Sequence, residues 1–334
     1  MFIVNSYSLA VLFCVVTMIS WGSWGNTQKL AGKTWRYELF YWDYTIGILL
    51  FSILLCLTLG SIGSSGRSFI PDLKQLDANC ALSAFTGGII FNASNILLSA
   101  SVALAGMAVA FPLGVGLALV LGVFINYYGQ PKGDAELLFI GVALVAMAII
   151  CNGFAARRNS SGNSRNATKG IVLALIAGIL MSFFYRFVAA AMDLSDFNNP
   201  APGMATPYTA FFIFSCGIFI SNFIFNTLAM HHPFDGKPVA YSQYFKGKMS
   251  THFVGILGGC IWGLGTALSY IAAGKAGAAI SYALGQGAPM IAALWGLFVW
   301  KEFKGMSKST TALLVLMFIL FIAGLTMITL AGEN

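Results

Sequence analysis

Aromatic and polar side chains recur at helical spacing inside stretches that are otherwise Leu, Ile, Val, Ala and Phe. Trp21 and Trp24 are three apart, with Ser20, Ser23 and Thr27 on the same helical face. Asn92 and Asn95 repeat that spacing, Trp262, Thr266 and Tyr270 follow one another four apart, and Tyr282 and Gln286 do the same. Amides and hydroxyls offer hydrogen bonds, and indole or phenol faces offer stacking, which together suit a small neutral polar solute. A plainer reading stands beside this one. Asn92, Asn95, Asn222 and Asn226 can join one helix to another. Tyr41, Trp42, Tyr44, Tyr127, Tyr128 and Trp300 sit near segment ends, where aromatic belts form.

Charge inside these stretches is rare. Arg186 is the basic residue that falls well within one; it either snorkels outward or offers a planar fork of donors to a solute. Asp43 and Glu302 are the candidates for carrying a proton, although both lie toward segment ends. Nucleophile–base pairs, paired carboxylates and metal-ligand spacings do not stand out, so no catalysis, cofactor or metal is expected. Cys14, Cys56, Cys80, Cys151, Cys216 and Cys260 each stand alone in an apolar run and read as small buried hydrophobes. His231, His232 and His252 read as residues in or beside a polar loop.

The elements that position these residues must sit in lipid. Of 334 residues 58% are hydrophobic and only 9% charged, against about 25% charged in a soluble protein, and the mean hydropathy is +0.82. Too little charge remains to cover a surface facing water. The net charge of +7 suits basic loops against anionic headgroups rather than nucleic acid. Since a bilayer core takes roughly 20 apolar residues, the pattern predicts an all-α integral membrane protein with ten spans: about Tyr7–Gln28, Tyr41–Ile62, Cys80–Ala105, Ala108–Tyr128, Leu137–Phe154, Lys169–Ala190, Pro207–Met230, Thr251–Ala273, Ala278–Trp300 and Thr311–Ala331. The first span lacks the basic flank and small-residue site of a cleaved signal.

Lys and Arg fall unevenly between the loops. Lys29, Lys33, Arg36, Arg157, Arg158, Arg165, Lys169, Lys237, Lys246, Lys248, Lys301, Lys304 and Lys308 follow odd spans, whereas Arg67, Lys74, Lys132 and Lys275 follow even ones. The positive-inside rule then puts the odd loops in the cytoplasm and both termini outside the cell (inner or plasma) membrane.

Glycines repeat at an offset of 171: Gly87-Gly88 with Gly258-Gly259, Gly106 with Gly277, Leu113-Gly114 with Leu284-Gly285, and Gly116 with Gly287. Five spans per copy make the copies inverted, an arrangement used by secondary transporters with a midplane site. The first repeat is expected over 1–156, a polar linker over 157–168 and the second repeat over 169–334. Pro112 with Gly114 in the fourth span, and Gly285 with Pro289 in the ninth, read as hinges or static kinks. Gly259 and Gly263 form a GxxxG that permits close packing.

With that repeat the chain resembles the drug/metabolite transporter superfamily, and within it the ureide permease family. The matching stretches are Trp42-Asp43-Tyr44, Gly87-Gly88, the run Thr206-Pro207-Tyr208-Thr209-Ala210-Phe211-Phe212, and Glu302 after the aromatic end of the ninth span. The resemblance extends over nearly the whole chain and carries kinship to bacterial glucose/ribose porters. It departs in its central loop, where Gly162 to Lys169 does not fit the phosphate-loop pattern. The resemblance implies import of a ureide or nucleobase-like heterocycle, or of a monosaccharide such as a pentose, by a monomer or homodimer, with a proton as the co-transported partner; facilitated diffusion stays open as the other mode. An exporter of metabolites or lipophilic compounds is the alternative.

Overall fold

The computed structural model of the chain describes residues 1–31, 35–105, 107–157, 164–234, 236–301 and 305–333. They form α1 (Tyr7–Ser23), α2 (Gly25–Leu30), α3 (Tyr37–Leu57), α4 (Phe69–Gln75), α5 (Ala78–Ala105), α6 (Met107–Gly129), α7 (Ala135–Arg157), α8 (Ser164–Ala190), α9 (Pro207–His231), α10 (Tyr241–Phe245), α11 (Met249–Ala276), α12 (Ala278–Gly285), α13 (Ala288–Leu294), a π-helical turn (Trp295–Val299) and α14 (Lys308–Ala331). Starts are set by local chemistry. The Ser6 and Ser307 hydroxyls accept from Leu9 and Thr310 backbone amides, and Thr206 caps α9 just before Pro207.

Among the described residues nine helices are long and apolar enough to cross a membrane, and α6 contributes a shorter apolar stretch, Leu113–Gly129. The chain is a multi-pass membrane protein. Two predicted spans are not single helices. In the first, α1 hands over to α2 at Trp24, which keeps helical dihedrals. The ninth breaks at Gln286 and Gly287, whose ψ angles are 0° and −4°. Pro289 follows in the first turn of α13, where its missing amide costs no helical hydrogen bond.

Helices cross most closely where glycine removes the side chain. A β-carbon at Gly88 of α5 would stand 2.1 Å from the Phe214 carbonyl oxygen of α9, and one at Gly217 of α9 would stand 2.2 Å from that of Phe85. The α3–α11 crossing matches it: a β-carbon at Gly259 would lie 2.1 Å from the Tyr44 oxygen, and one at Gly47 would lie 2.1 Å from the Ile256 oxygen. No side chain fits at these points, so backbone meets backbone. Gly263, the other half of the GxxxG, has more room, its nearest neighbour being the Phe51 ring at 3.3 Å.

Loops gather at two ends. At one, Arg36 donates to the Lys237 carbonyl, Lys169 to that of Phe234, and Trp300 to the Asn26 side chain. At the other, the N-terminal ammonium donates to the Ser65 carbonyl, Lys132 to that of Gly274, and Tyr7 to that of Thr329. The first end holds basic residues that the sequence assigns to the cytoplasm.

Candidate solute cavity

The cavity is lined by Trp21, Trp24, Phe91, Asn95, Leu98, Val115, Met181, Phe184, Trp262, Gln286 and Ala288, drawn from both halves of the chain. Its volume is about 60 Å3, room for a few waters. Trp262 is the centre of the wall. Its ring stacks on Phe91 at 4.3 Å, and on Phe214 and Trp21 at 6.2 and 6.3 Å. Trp21 is fixed by its indole N–H, which donates to Thr266 Oγ1 at 3.0 Å, and Gly285 leaves its ring the space a β-carbon would fill. Trp24, at the α1–α2 joint, lies 4.8 Å from the Tyr44 ring.

Two amides interrupt these aromatic faces. Asn95, 3% exposed, donates through Nδ2 to the Tyr41 hydroxyl at 3.1 Å, which leaves its oxygen for the cavity. Gln286 is carried in by the break between α12 and α13, its residue 4% exposed. The site therefore holds flat apolar faces with a small number of amide edges, which fits a planar solute with polar rims.

Of the stripes read from sequence, Trp21, Trp24, Asn95, Trp262 and Gln286 converge on this cavity. The others lie elsewhere. Asn92 donates to Ser221 at 2.9 Å and joins α5 to α9, while Asn222 and Asn226 bond Thr45 and the Glu38 carbonyl. Thr266 supports Trp21 from behind. Tyr270 and Tyr282 pack around Tyr185 at 5.1 and 5.3 Å, and the Tyr282 hydroxyl donates to the Ala118 carbonyl. Arg186 does not line the cavity. Its guanidinium lies over Gly129 at the carboxyl end of α6, where the helix carbonyls favour a cation. Gly114 packs α6 on Leu98 and Ala174, and α6 is helical through it. Glu302 and the side chain of Pro112 lie outside the described residues.

Tyr128 is 74% exposed, as a belt position requires, whereas Tyr41 and Tyr44 are not exposed. Both are buried, because the α3–α11 crossing turns this part of α3 toward the interior. His252 lies just beside the polar loop rather than in it. It lies in the first turn of α11, where its Nδ1 is 2.8 Å from Asp43 Oδ1. Tyr244, from α10, donates to the same oxygen at 2.7 Å. Burial, then the hydrogen bond and charge of Asp43, push the Tyr244 phenol above its ordinary range, so it stays a donor. Asp43 Oδ2 is buried without a hydrogen bond. A sequence signal for His252 existed: it stands three and seven residues before Gly255 and Gly259, on the face that meets α3. The 171-residue offset similarly pairs Phe91 with Trp262 and Val115 with Gln286.

The family model described as Ureide permease matches residues 40–169 and 155–331. Ureide permease 1 of Arabidopsis thaliana is 24% identical over 98% of both chains, and Ureide permease 5 of the same plant is 24% identical over 100% of this chain and 97% of its own. The protein named "Putative sugar uptake protein YxfA" of Lactococcus lactis is 24% identical over 97% of this chain and 99% of its own. A solved crystal structure of a protein 17% identical to this one superposes with a TM-score of 0.62, covering 98% of this chain and 99% of the other. Matched over most of its length by the model, this chain belongs to the ureide permease family.

Proposed function

We propose that the protein is a secondary-active transporter that imports a small neutral polar solute by alternating access, with the solute seated among Trp21, Trp24, Asn95, Trp262 and Gln286. One observation carries the reading: a stacked aromatic wall, facing an amide at a helix break, inside a permease-family membrane protein. A broken helix at the site is a recurrent device of such carriers, because it brings polar groups to mid-membrane while the flanking helices stay paired. Asn95 and Gln286 can each accept and donate, which suits the –CO–NH– edge of a ureide or nucleobase-like ring. A cavity of about 60 Å3 is smaller than the few hundred of ordinary ligand sites, so loading moves the Trp24 joint or the Gln286 turn outward.

A monosaccharide such as a pentose is the second reading, favoured by the bacterial relative named for sugar uptake and by the indole faces, on which sugar C–H groups stack. The export alternative is less suited, since two amides in so small a space oppose a lipophilic cargo. The architecture belongs to the same proposal: ten spans as a 5+5 inverted repeat of the drug/metabolite transporter type, with residues 1–156 and 169–334 as its halves. The matched crossings of α5 with α9 and α3 with α11 support it, as does the meeting of the offset pair Phe91 and Trp262 at the cavity. Both termini are then extracytoplasmic and Asp43 the proton-coupling residue.

Competition uptake in proteoliposomes, with ureides, nucleobases, pentoses and hexoses, tests the reading. The expected result is saturable uptake of one class, weakened by Trp262→Ala and Gln286→Leu. Absence of saturable uptake for all four classes would overturn it. A reporter that is active only in the cytoplasm should stay silent at either terminus.

A further inference from the structure

We propose that Asp43 and His252 form a proton-binding latch: while the pair holds its proton the end of the bundle carrying α10 stays closed, and its deprotonation releases α10. The inference rests on the transport reading, since release opens a way for solute at that end. Asp43 Oδ1 accepts from Tyr244 of α10 at 2.7 Å and contacts His252 Nδ1 of α11 at 2.8 Å, so one oxygen ties three elements together. The His252 side chain is 15% exposed and that of Asp43 1%, which gives a proton a route to the imidazole and not to the carboxylate.

The surroundings leave the pair to balance itself. Trp35 faces the carboxylate from the segment before α3, with its ring edge-on to His252 at 5.1 Å. On α3 Glu38 is paired with Arg36. From α9 come Asn222 and Asn226, neither titratable, and they bond Thr45 and the Glu38 carbonyl. With its proton the pair is imidazolium against carboxylate and neutral overall. Without it, one buried negative charge remains, facing two neutral donors. A buried charge lacking its partner is unfavourable and is relieved by water. Lifting α10 admits water to the carboxylate, and α10 is a helix of five residues held by Tyr244 on Asp43 and Tyr241 on Thr227.

The test is hydrogen–deuterium exchange of the full chain in nanodiscs, read over residues 241–252 from pH 5.5 to 8.5 and corrected for intrinsic exchange; it needs no solute. Wild type should lose protection as pH rises, by about tenfold or more across the range. His252→Gln should be flat with pH. Tyr244→Phe, which removes the hydroxyl that ties α10 to Asp43, should lower protection of residues 241–252 already at the acidic end of the range, toward the level wild type reaches at the alkaline end. A wild-type profile in both variants would overturn the latch, as would a flat profile in wild type. Failure to transport any tested solute, with these exchange profiles intact, would instead count against the transport reading alone.

Discussion

Two buried aspartates stand at opposite ends of the bundle, and their partners differ in kind. Asp72 of α4 takes Arg67 on Oδ1 at 3.0 Å, the Gln75 amide on the same oxygen, and the Thr206 backbone amide on Oδ2. Arg67 also donates to the carbonyls of Pro200 and Met204. Every oxygen is used, and guanidinium keeps its charge at any accessible pH. Asp43 faces an imidazole, which is charged only when protonated, and one of its oxygens is unused. Around both, short helices close the bundle, α4 at one end and α10 at the other. A short closing helix is common to both ends; the charge chemistry is not. In the crossing of α5 with α9, the positions that match His252 and Asp43 are Ala81 and Ile213.

The largest effect should come from breaking the fixed pair. Asp72→Asn leaves Arg67 without its counter-charge, and losing one partner of a buried pair costs about 3–5 kcal/mol. Thermal unfolding in detergent should drop sharply for Asp72→Asn, and much less for Asp43→Asn, which keeps an acceptor for Tyr244. Equal losses would mean that both aspartates are structural staples and would remove the distinction.

The two glycine crossings come next. Gly88→Ala and Gly259→Ala each place a methyl against a carbonyl oxygen at 2.1 Å, and overpacking of this kind costs about 1–3 kcal/mol. Similar losses are expected at both, since the contacts are alike. The variants should separate in their pH response. Gly259→Ala pushes α3 from α11 and so disturbs the Asp43–His252 contact, whereas Gly88→Ala leaves the exchange profile of residues 241–252 as in wild type. A matching change in both would break the assignment of the chemistry to one crossing.

The cavity offers the third contrast, between a face and an edge. Trp262→Ala removes the stacking wall for any flat solute, and a loss of about 1–3 kcal/mol is roughly five- to 150-fold in affinity. Gln286→Leu keeps the bulk and removes the amide, so binding of a ring with an amide edge should fall by a similar factor. Pentose binding should fall less in Gln286→Leu than in Trp262→Ala. Competition binding of both solute classes to each variant measures the difference.

Membrane class and the near-complete set of spans were legible because lipid selects for composition and length, which a single sequence displays. Five stripe residues reached the cavity for a related reason: a polar group in an apolar helix must face something polar. What it faces is set by the neighbouring helix, and period alone does not name the neighbour. Asn92 and Asn95 share a face by spacing, yet Asn92 meets Ser221 of α9 while Asn95 lines the cavity. His252 was hidden by the same limit, since its meaning comes from Asp43, 209 residues away. The burial of Tyr41 and Tyr44 was hidden too, because it depends on glycines in another helix.

The smallest effect is expected at Pro289, and the reason is its place in the broken helix. Proline inside a helix removes one hydrogen bond and bends the axis, whereas in the first turn its missing amide had no partner to lose. Pro289 is at the start of α13, so it follows the break rather than makes it. The turn itself is carried by Gln286 and Gly287. Pro289→Ala should therefore cost about 0.4–1 kcal/mol, through the freedom that alanine returns to the unfolded chain, with uptake near the wild-type rate. Gly287→Ala reaches the turn more directly, because a β-carbon there would stand 2.4 Å from the Met18 sulfur of α1. Uptake by Gly287→Ala slower than by Pro289→Ala places the working joint at Gln286–Gly287. The reverse order would restore proline as the hinge, and with it the equivalence of Pro289 and Pro112 that the sequence suggests.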